Sequence, residues 1–109
     1  MAMPAQPTEW TVDMVRALPD DGNRYEVIDG ELFVTPSPSR LHQLVSRRLT
    51  AILLQAVIDS GIGDFYYAPF DVRLADDSIV QPDLLVVLRE HSARFAEKAV
   101  NGAPDLVVE

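Results

Sequence analysis

The fold is decided by the stretch Val80-Gln81-Pro82-Asp83-Leu84-Leu85-Val86-Val87-Leu88, a β-branched and leucine-rich run that opens with a proline and one acid. Such a run predicts a buried strand. A similar run, Pro104-Asp105-Leu106-Val107-Val108-Glu109, follows later in the chain. Burying an ionised carboxylate without a partner is costly. The acids of two core strands are therefore either satisfied by neighbouring side chains or neutralised by a cation, and a divalent metal with oxygen ligands is one such cation.

Composition limits the class of protein and the kind of metal site. The chain has 109 residues, of which 48% are hydrophobic and 24% charged, and this is typical of one soluble globular domain. No apolar run approaches the roughly 20 residues of a membrane span, and the first residues lack signal character, so we expect a cytoplasmic protein. Because the chain has no cysteine, a metal would be bound by oxygen or by one of two histidines, which favours magnesium, manganese or calcium.

Charge is unevenly distributed along the chain. The net charge of −8 argues against indiscriminate binding to nucleic acid, which depends on attraction to phosphates. From Leu32 to Ile58, however, there is no acid, and Arg40, Arg47 and Arg48 lie in this stretch. Two interpretations stay open, a solvent-facing helix surface or a patch that contacts phosphates.

The clearest local signal is a β-hairpin. Residues 1–10 are predicted to form a disordered or loosely ordered tail, and residues 11–109 the domain. Within the domain, Asp29-Gly30 is the pair that a two-residue type I′ turn requires, and it sets Ile28 opposite Glu31. The face with Tyr25, Val27, Leu32 and Val34 is then the core side, and Glu26 and Glu31 share the other face with Ile28 and Phe33. These two glutamates are either ordinary solvent-facing residues or part of one wall of a cleft.

Helical and strand patterns fill the rest of the domain. Ser37 is the expected N-cap of a long amphipathic helix that runs to Gly61 and serves as the main packing helix. His42 lies near its start, off the apolar stripe, and is either an exposed or capping residue or part of a site. A turn that sets Ala75 opposite Ser78 predicts a strand pair in which Leu74 meets Ile79. The same pattern predicts a continuous strand over residues 79–88 and a helix over residues 89–100.

Four separated motifs resemble those of the Uma-type bacterial proteins, which are classed as endonucleases of the PD-(D/E)XK, restriction-endonuclease-like superfamily. The motifs are Arg24-Tyr25-Glu26-Val27-Ile28-Asp29-Gly30-Glu31-Leu32, Pro36-Ser37-Pro38 followed by His42-Gln43, Val80-Gln81-Pro82-Asp83-Leu84, and Gly102-Ala103-Pro104-Asp105-Leu106-Val107-Val108-Glu109. They occur in the order found in the family and cover nearly all of the chain from Thr11 onward.

The resemblance implies an α/β (α+β) nuclease core with a mixed sheet, an N-terminal hairpin and flanking helices. It also implies that Asp83 and Glu109 hold Mg²⁺ or Mn²⁺, that Glu26 or Glu31 joins them, and that His42 is the family's histidine. The substrate expected for the intact family protein is DNA. Two carboxylates suit such an ion, which polarises the scissile phosphate and lowers the pKa of an attacking water.

The chain departs from the family after Glu109. Members continue into a segment that carries a lysine, and the one lysine here, Lys98, precedes Glu109. We therefore expect a core that is incomplete at its C-terminus and inactive or weakly active alone. The alternative is a non-catalytic binding or assembly module. The exposed strand Leu106-Val107-Val108 predicts a homodimer or a higher even oligomer with residues 104–109 at the contact.

Overall fold

The computed structural model describes residues 9–109, which form a mixed α+β architecture. The predicted fold class is confirmed, but two sheets take the place of the single expected one. The elements in chain order are α1 (Val12–Arg16), β1 (Arg24–Ile28), β2 (Glu31–Thr35), α2 (Arg40–Leu53), β3 (Gly63–Tyr67), β4 (Asp71–Ala75), β5 (Ser78–Val80), β6 (Leu84–Leu88), β7 (Ala99–Asn101) and β8 (Leu106–Val108). The predicted tail lies outside the described residues over 1–8, and Trp10 packs against the core.

The first sheet contains five strands in the order β2-β1-β5-β4-β7. Its hairpin has the predicted register, with Ile28 opposite Glu31. Asp29 and Gly30 have φ angles of 50° and 80°, as a type I′ turn requires, and the short side chain of aspartate tolerates this region. The core face packs on α1, where Thr11 caps the helix by accepting a hydrogen bond from the Met14 amide. The side chains in this core are Val12, Val15, Val27 and Ile79, with Trp10, Tyr25 and Leu32 partly buried against them.

The second sheet contains three strands in the order β3-β6-β8, so β6 lies at its centre. The predicted burial of this strand is confirmed, since Leu84 to Val87 are all buried. The predicted continuous strand over residues 79–88 is wrong. The chain leaves the first sheet after Val80 and enters the second at Leu84. Buried Pro82 lies between them, and its missing N–H could not have continued a ladder.

Two further sequence predictions are wrong in their details. Ala75 faces Ser78 as predicted. A bulge then pairs Arg73 with Ile79, so the predicted pairing of Leu74 with Ile79 is wrong. The predicted helix over residues 89–100 is instead a 3₁₀ helix, Arg89–Arg94, followed by β7. Pairing of β7 with β4 in parallel buries Val100 completely, a tertiary gain that outweighs the local helical pattern.

Helix α2 begins at Arg40, with Ser39 rather than Ser37 as its N-cap. The hydroxyl of Ser37 instead donates to the carbonyl of Gly22. The helix continues as a π-helical segment, Leu54–Asp59, up to the predicted stop near Gly61. The predicted role of main packing helix is wrong for Arg40–Leu53, because none of these residues is buried and the stripe Leu41, Val45 and Ile52 is exposed. In the π-helical continuation, Val57 is buried. Within residues 9–109, no helix is both long enough and apolar enough to span a membrane.

Candidate active site

The segment that crosses between the two sheets is fixed by side chains of β1. The Gln81 amide donates to Glu26 Oε2 at 2.8 Å, and Arg24 Nη1 donates to the Gln81 carbonyl at 2.6 Å. Arg24 and Glu26 are two residues apart on a strand and so point to the same face. The Gln81 side chain in turn donates to Asp71 Oδ1 at 2.7 Å. The backbone amide, the carbonyl and the side-chain Nε2 of Gln81 thus each have a partner, although the segment belongs to neither sheet.

Asp83 follows in this segment, and neighbouring side chains satisfy its charge. Its Oδ1 accepts a hydrogen bond from Arg24 Nη2 at 3.0 Å and lies 3.1 Å from His42 Nε2. Only 11% of the Asp83 side chain is exposed. Among residues 9–109 these contacts all fall on Oδ1. The isolated acid of the apolar run is therefore paired, and His42 lies beside it.

Glu109 follows the end of β8, next to Asp83. Leu84 pairs with Val108 in the antiparallel register of β6 and β8, so Asp83 and Glu109 are the next residues to face each other. Partial burial raises the pKa of the Glu109 carboxyl above its ordinary value, and repulsion from Glu26 and Asp83 raises it further, while Arg24 acts in the opposite direction. Glu26 and Asp83 therefore lie close enough to Glu109 to disfavour its negative charge.

An open groove of about 620 Å³ lies on one side of this cluster. Arg24, Gln81 and Asp83 line it, together with polar residues of α2: His42, Gln43, Ser46, Arg47 and Thr50. The lining also includes Pro36, Pro38, Tyr67 and Pro69. Asp83 is the acid of the cluster that borders the groove, whereas Glu26 and Glu109 do not line it.

The remaining predicted site residues are separated from one another. Glu31 is exposed at the turn end of the hairpin, whereas Glu26 lies in the middle of β1 beside Gln81. Of the two glutamates, the structure brings Glu26 to the Asp83 segment. Arg47 lines the groove, while Arg40 and Arg48 are exposed and do not line it.

Sequence reasoning missed Arg24 and Gln81 as parts of this cluster. Both stand inside the quoted motifs, and the spacing Arg24-Tyr25-Glu26 on a strand was a signal that the arginine shares a face with the glutamate. Nothing local indicates that this face meets Gln81 and Asp83, because the contact joins residues far apart in the chain.

The family model of Uma2, described as "Putative restriction endonuclease", matches residues 12–109. The chain belongs to the Uma2 family. No curated protein matches the chain. The family inferred from the four motifs is thus confirmed, and the two-sheet α+β architecture of this Uma2 protein is consistent with a restriction-endonuclease-like fold. The family description supports a nuclease function with DNA as substrate.

The donor chemistry of the Uma2 cluster fits a divalent cation. Carboxylate oxygens are the ligands that Mg²⁺ and Mn²⁺ prefer. Such an ion would relieve the repulsion from Glu26 and Asp83 that, together with the larger effect of burial, raises the pKa of Glu109. Over residues 9–109, no group of three or more acids or histidines is arranged to hold an ion as it stands.

Proposed function

We propose that this Uma2 protein hydrolyses DNA phosphodiester bonds in a metal-dependent reaction at Asp83 and Glu109. The observation that supports the proposal is the register of β6 and β8: it pairs Leu84 with Val108, so the adjoining Asp83 and Glu109 come next to each other, and Asp83 lines the groove. The pKa of Glu109 is raised by burial and then by repulsion from Glu26 and Asp83, and this repulsion agrees with the proposal, because crowded carboxylates attract a cation.

Each residue of the cluster has a distinct task in this proposal. Asp83 and Glu109 hold Mg²⁺ or Mn²⁺, which when bound would polarise the scissile phosphate and lower the pKa of the attacking water. Glu26 is held by the Gln81 amide and adds negative charge beside Glu109. His42 holds Asp83 from the helix side. Glu31 lies too near the hairpin turn to share these contacts.

The rate we expect of this chain alone is low. A lysine commonly stabilises developing charge in such a site, and removing one positioned charge-stabilising group typically costs about 10²–10³ in rate. Lys98 is the one lysine of the chain, and it is exposed ahead of β7. A non-catalytic nuclease-fold module that binds or assembles is the alternative.

A plasmid-nicking assay separates the two functions. With Mg²⁺ or Mn²⁺ we expect slow nicking that is lost on chelation and in Asp83→Asn and Glu109→Gln, which keep the side-chain shape and remove the charge. Asp76→Asn is the matched control, because Asp76 is a solvent-exposed acid paired with Arg73. DNA binding without any nicking would favour the non-catalytic module. Nicking that survives Asp83→Asn would contradict the proposed site.

Of the three predicted phosphate contacts, Arg47 is the one we propose for DNA bound in the groove. Arg48 neighbours it in sequence but does not line the groove, and so provides the control. We expect Arg47→Gln to weaken DNA binding and to lower the slope of log affinity against log salt by about one, since one phosphate contact is lost. Arg48→Gln should leave that slope unchanged. Equal effects would favour the solvent-facing interpretation of the arginines.

The cytoplasmic location stays a prediction, which cell fractionation tests.

A further inference from the structure

Arg24 is a largely buried arginine at the centre of the candidate site. Its side chain is 16% exposed, and it is the first residue of β1, in the sheet that does not contain β6. Its guanidinium reaches the segment that joins β5 to β6. Arg24 therefore connects the five-stranded sheet to Asp83, which precedes β6 of the three-stranded sheet.

The guanidinium makes two contacts on either side of Pro82. Nη1 donates to the Gln81 carbonyl at 2.6 Å, and Nη2 donates to Asp83 Oδ1 at 3.0 Å. One contact fixes the backbone and the other fixes the carboxylate relative to it. A planar guanidinium can make both at once because its donors are held in a rigid fork, whereas the single ammonium of lysine lacks this geometry.

The positive charge of Arg24 is unexpected beside acids that are proposed to bind a metal ion. By Coulomb's law alone, a fixed positive charge beside Asp83 and Glu109 repels a divalent cation. Arg24 also opposes the effect of the acids on Glu109, so its charge is felt across the cluster. If Asp83 and Glu109 bind a metal, the charge of Arg24 lowers their affinity for it. Arg24 favours metal binding only if orienting these acids outweighs that repulsion.

We propose that Arg24 is the positioning residue for Asp83: it holds the carboxylate in its metal-binding orientation by bridging it to the Gln81 carbonyl. This inference rests on the proposed metal site and deepens it. Groups that orient a metal ligand typically change metal affinity or activity about 10–100-fold when removed.

The sign of the change in Mn²⁺ affinity tests the proposal. We expect Arg24→Gln to weaken Mn²⁺ binding by about tenfold or more, measured by calorimetry or electron paramagnetic resonance. Charge alone would have the opposite effect, because the variant removes a repelling cation. Arg24→Lys keeps the charge but not the fork, and it should also bind Mn²⁺ more weakly. Arg73→Gln is the control, since Arg73 lies on β4 and pairs with exposed Asp76.

A second measurement needs no metal. The amides of Gln81 and Ala68 donate to Glu26 and to the Asp83 carbonyl, so their hydrogen exchange reports how firmly the segment is held. In Arg24→Gln and Arg24→Lys both amides should exchange about tenfold faster, with no such change in Arg73→Gln.

The outcomes separate this inference from the proposed function. Unchanged or tighter Mn²⁺ binding in Arg24→Gln, or full rescue by Arg24→Lys, overturns the positioning role. If the wild-type chain binds no Mn²⁺, or Asp83→Asn binds it equally well, the proposed metal site fails. In that case the hydrogen exchange of the Gln81 and Ala68 amides still tests whether Arg24 orients Asp83. Unchanged exchange in both Arg24→Gln and Arg24→Lys overturns the positioning role.

Discussion

The imidazole Nε2 of His42 lies 3.1 Å from Oδ1 of Asp83, and this contact joins α2 to the segment before β6. The same Oδ1 accepts a hydrogen bond from Arg24 Nη2. Asp83 is therefore held from two directions, by a strand of the other sheet and by a helix that buries none of its own residues. The contact gives α2 a defined place beside the groove without a packed helix face.

We expect His42→Ala to slow DNA nicking by about 10–100-fold, because Asp83 loses one of the two groups that orient it. His91 offers a matched control, since its Nδ1 lies 2.8 Å from Oδ1 of Asp105 in the other histidine–aspartate pair of residues 9–109. His91→Ala should leave nicking unchanged, provided that circular dichroism shows both variants folded. Equal losses in the two variants would contradict a specific role for His42.

The raised pKa of Glu109 predicts a pH-dependent cost to stability. A carboxyl whose folded pKa lies above its unfolded value stabilises the fold fully below the unfolded pKa and loses that contribution as the pH rises through the folded pKa. The ordinary pKa here is 4.5. Urea unfolding of wild type and Glu109→Gln should therefore differ little below about pH 4.5, and the variant should become relatively more stable as the pH rises above it. A relative loss of stability in the variant at neutral pH would contradict the crowding of the three acids.

Asp105 predicts the opposite pH dependence. The Leu88 amide donates to its Oδ2 at 2.7 Å, and this bond, with His91 and Arg94, lowers the pKa of Asp105 below its ordinary value of 3.8. Its stabilising contribution is present above pH 3.8 and is lost as the pH falls through the lowered folded pKa. Asp105→Asn should lower the urea midpoint at neutral pH, and the difference should shrink in acid. Asp76→Asn, on an exposed acid, should change the midpoint much less.

Self-association through β8 stays a prediction, now with a defined surface. Leu106 and Val107 are 49% and 48% exposed, and β8 is an edge strand of its sheet. We expect light scattering to show a dimer at micromolar concentration, and Val107→Lys to convert it to a monomer, because a charge on an edge strand blocks pairing. Leu41→Lys, on the exposed α2 stripe, is the control. A dimer broken by Leu41→Lys and not by Val107→Lys would place the contact on the helix instead.

The sequence by itself determined the local features of this protein. Asp29-Gly30 fixed the hairpin and its register, because only a narrow set of residue pairs accepts two successive positive φ angles. The apolar run from Leu84 fixed a buried strand, and the isolated Asp83 required a partner. These signals depend on neighbouring residues and on periodicity, which the sequence states directly. The family motifs rest on the same residues.

Only the tertiary structure decided which distant residues meet. The crossing at Pro82 sends β5 and β6 to different sheets, and the pairing of β6 with β8 then brings Glu109 to Asp83. Val100 entered a sheet in spite of a helical pattern, because the edge of β4 was there to pair with it. Arg24 joined the site for the same kind of reason. Such contacts are favoured by burial and pairing summed over the whole chain, and no single stretch of sequence carries that information.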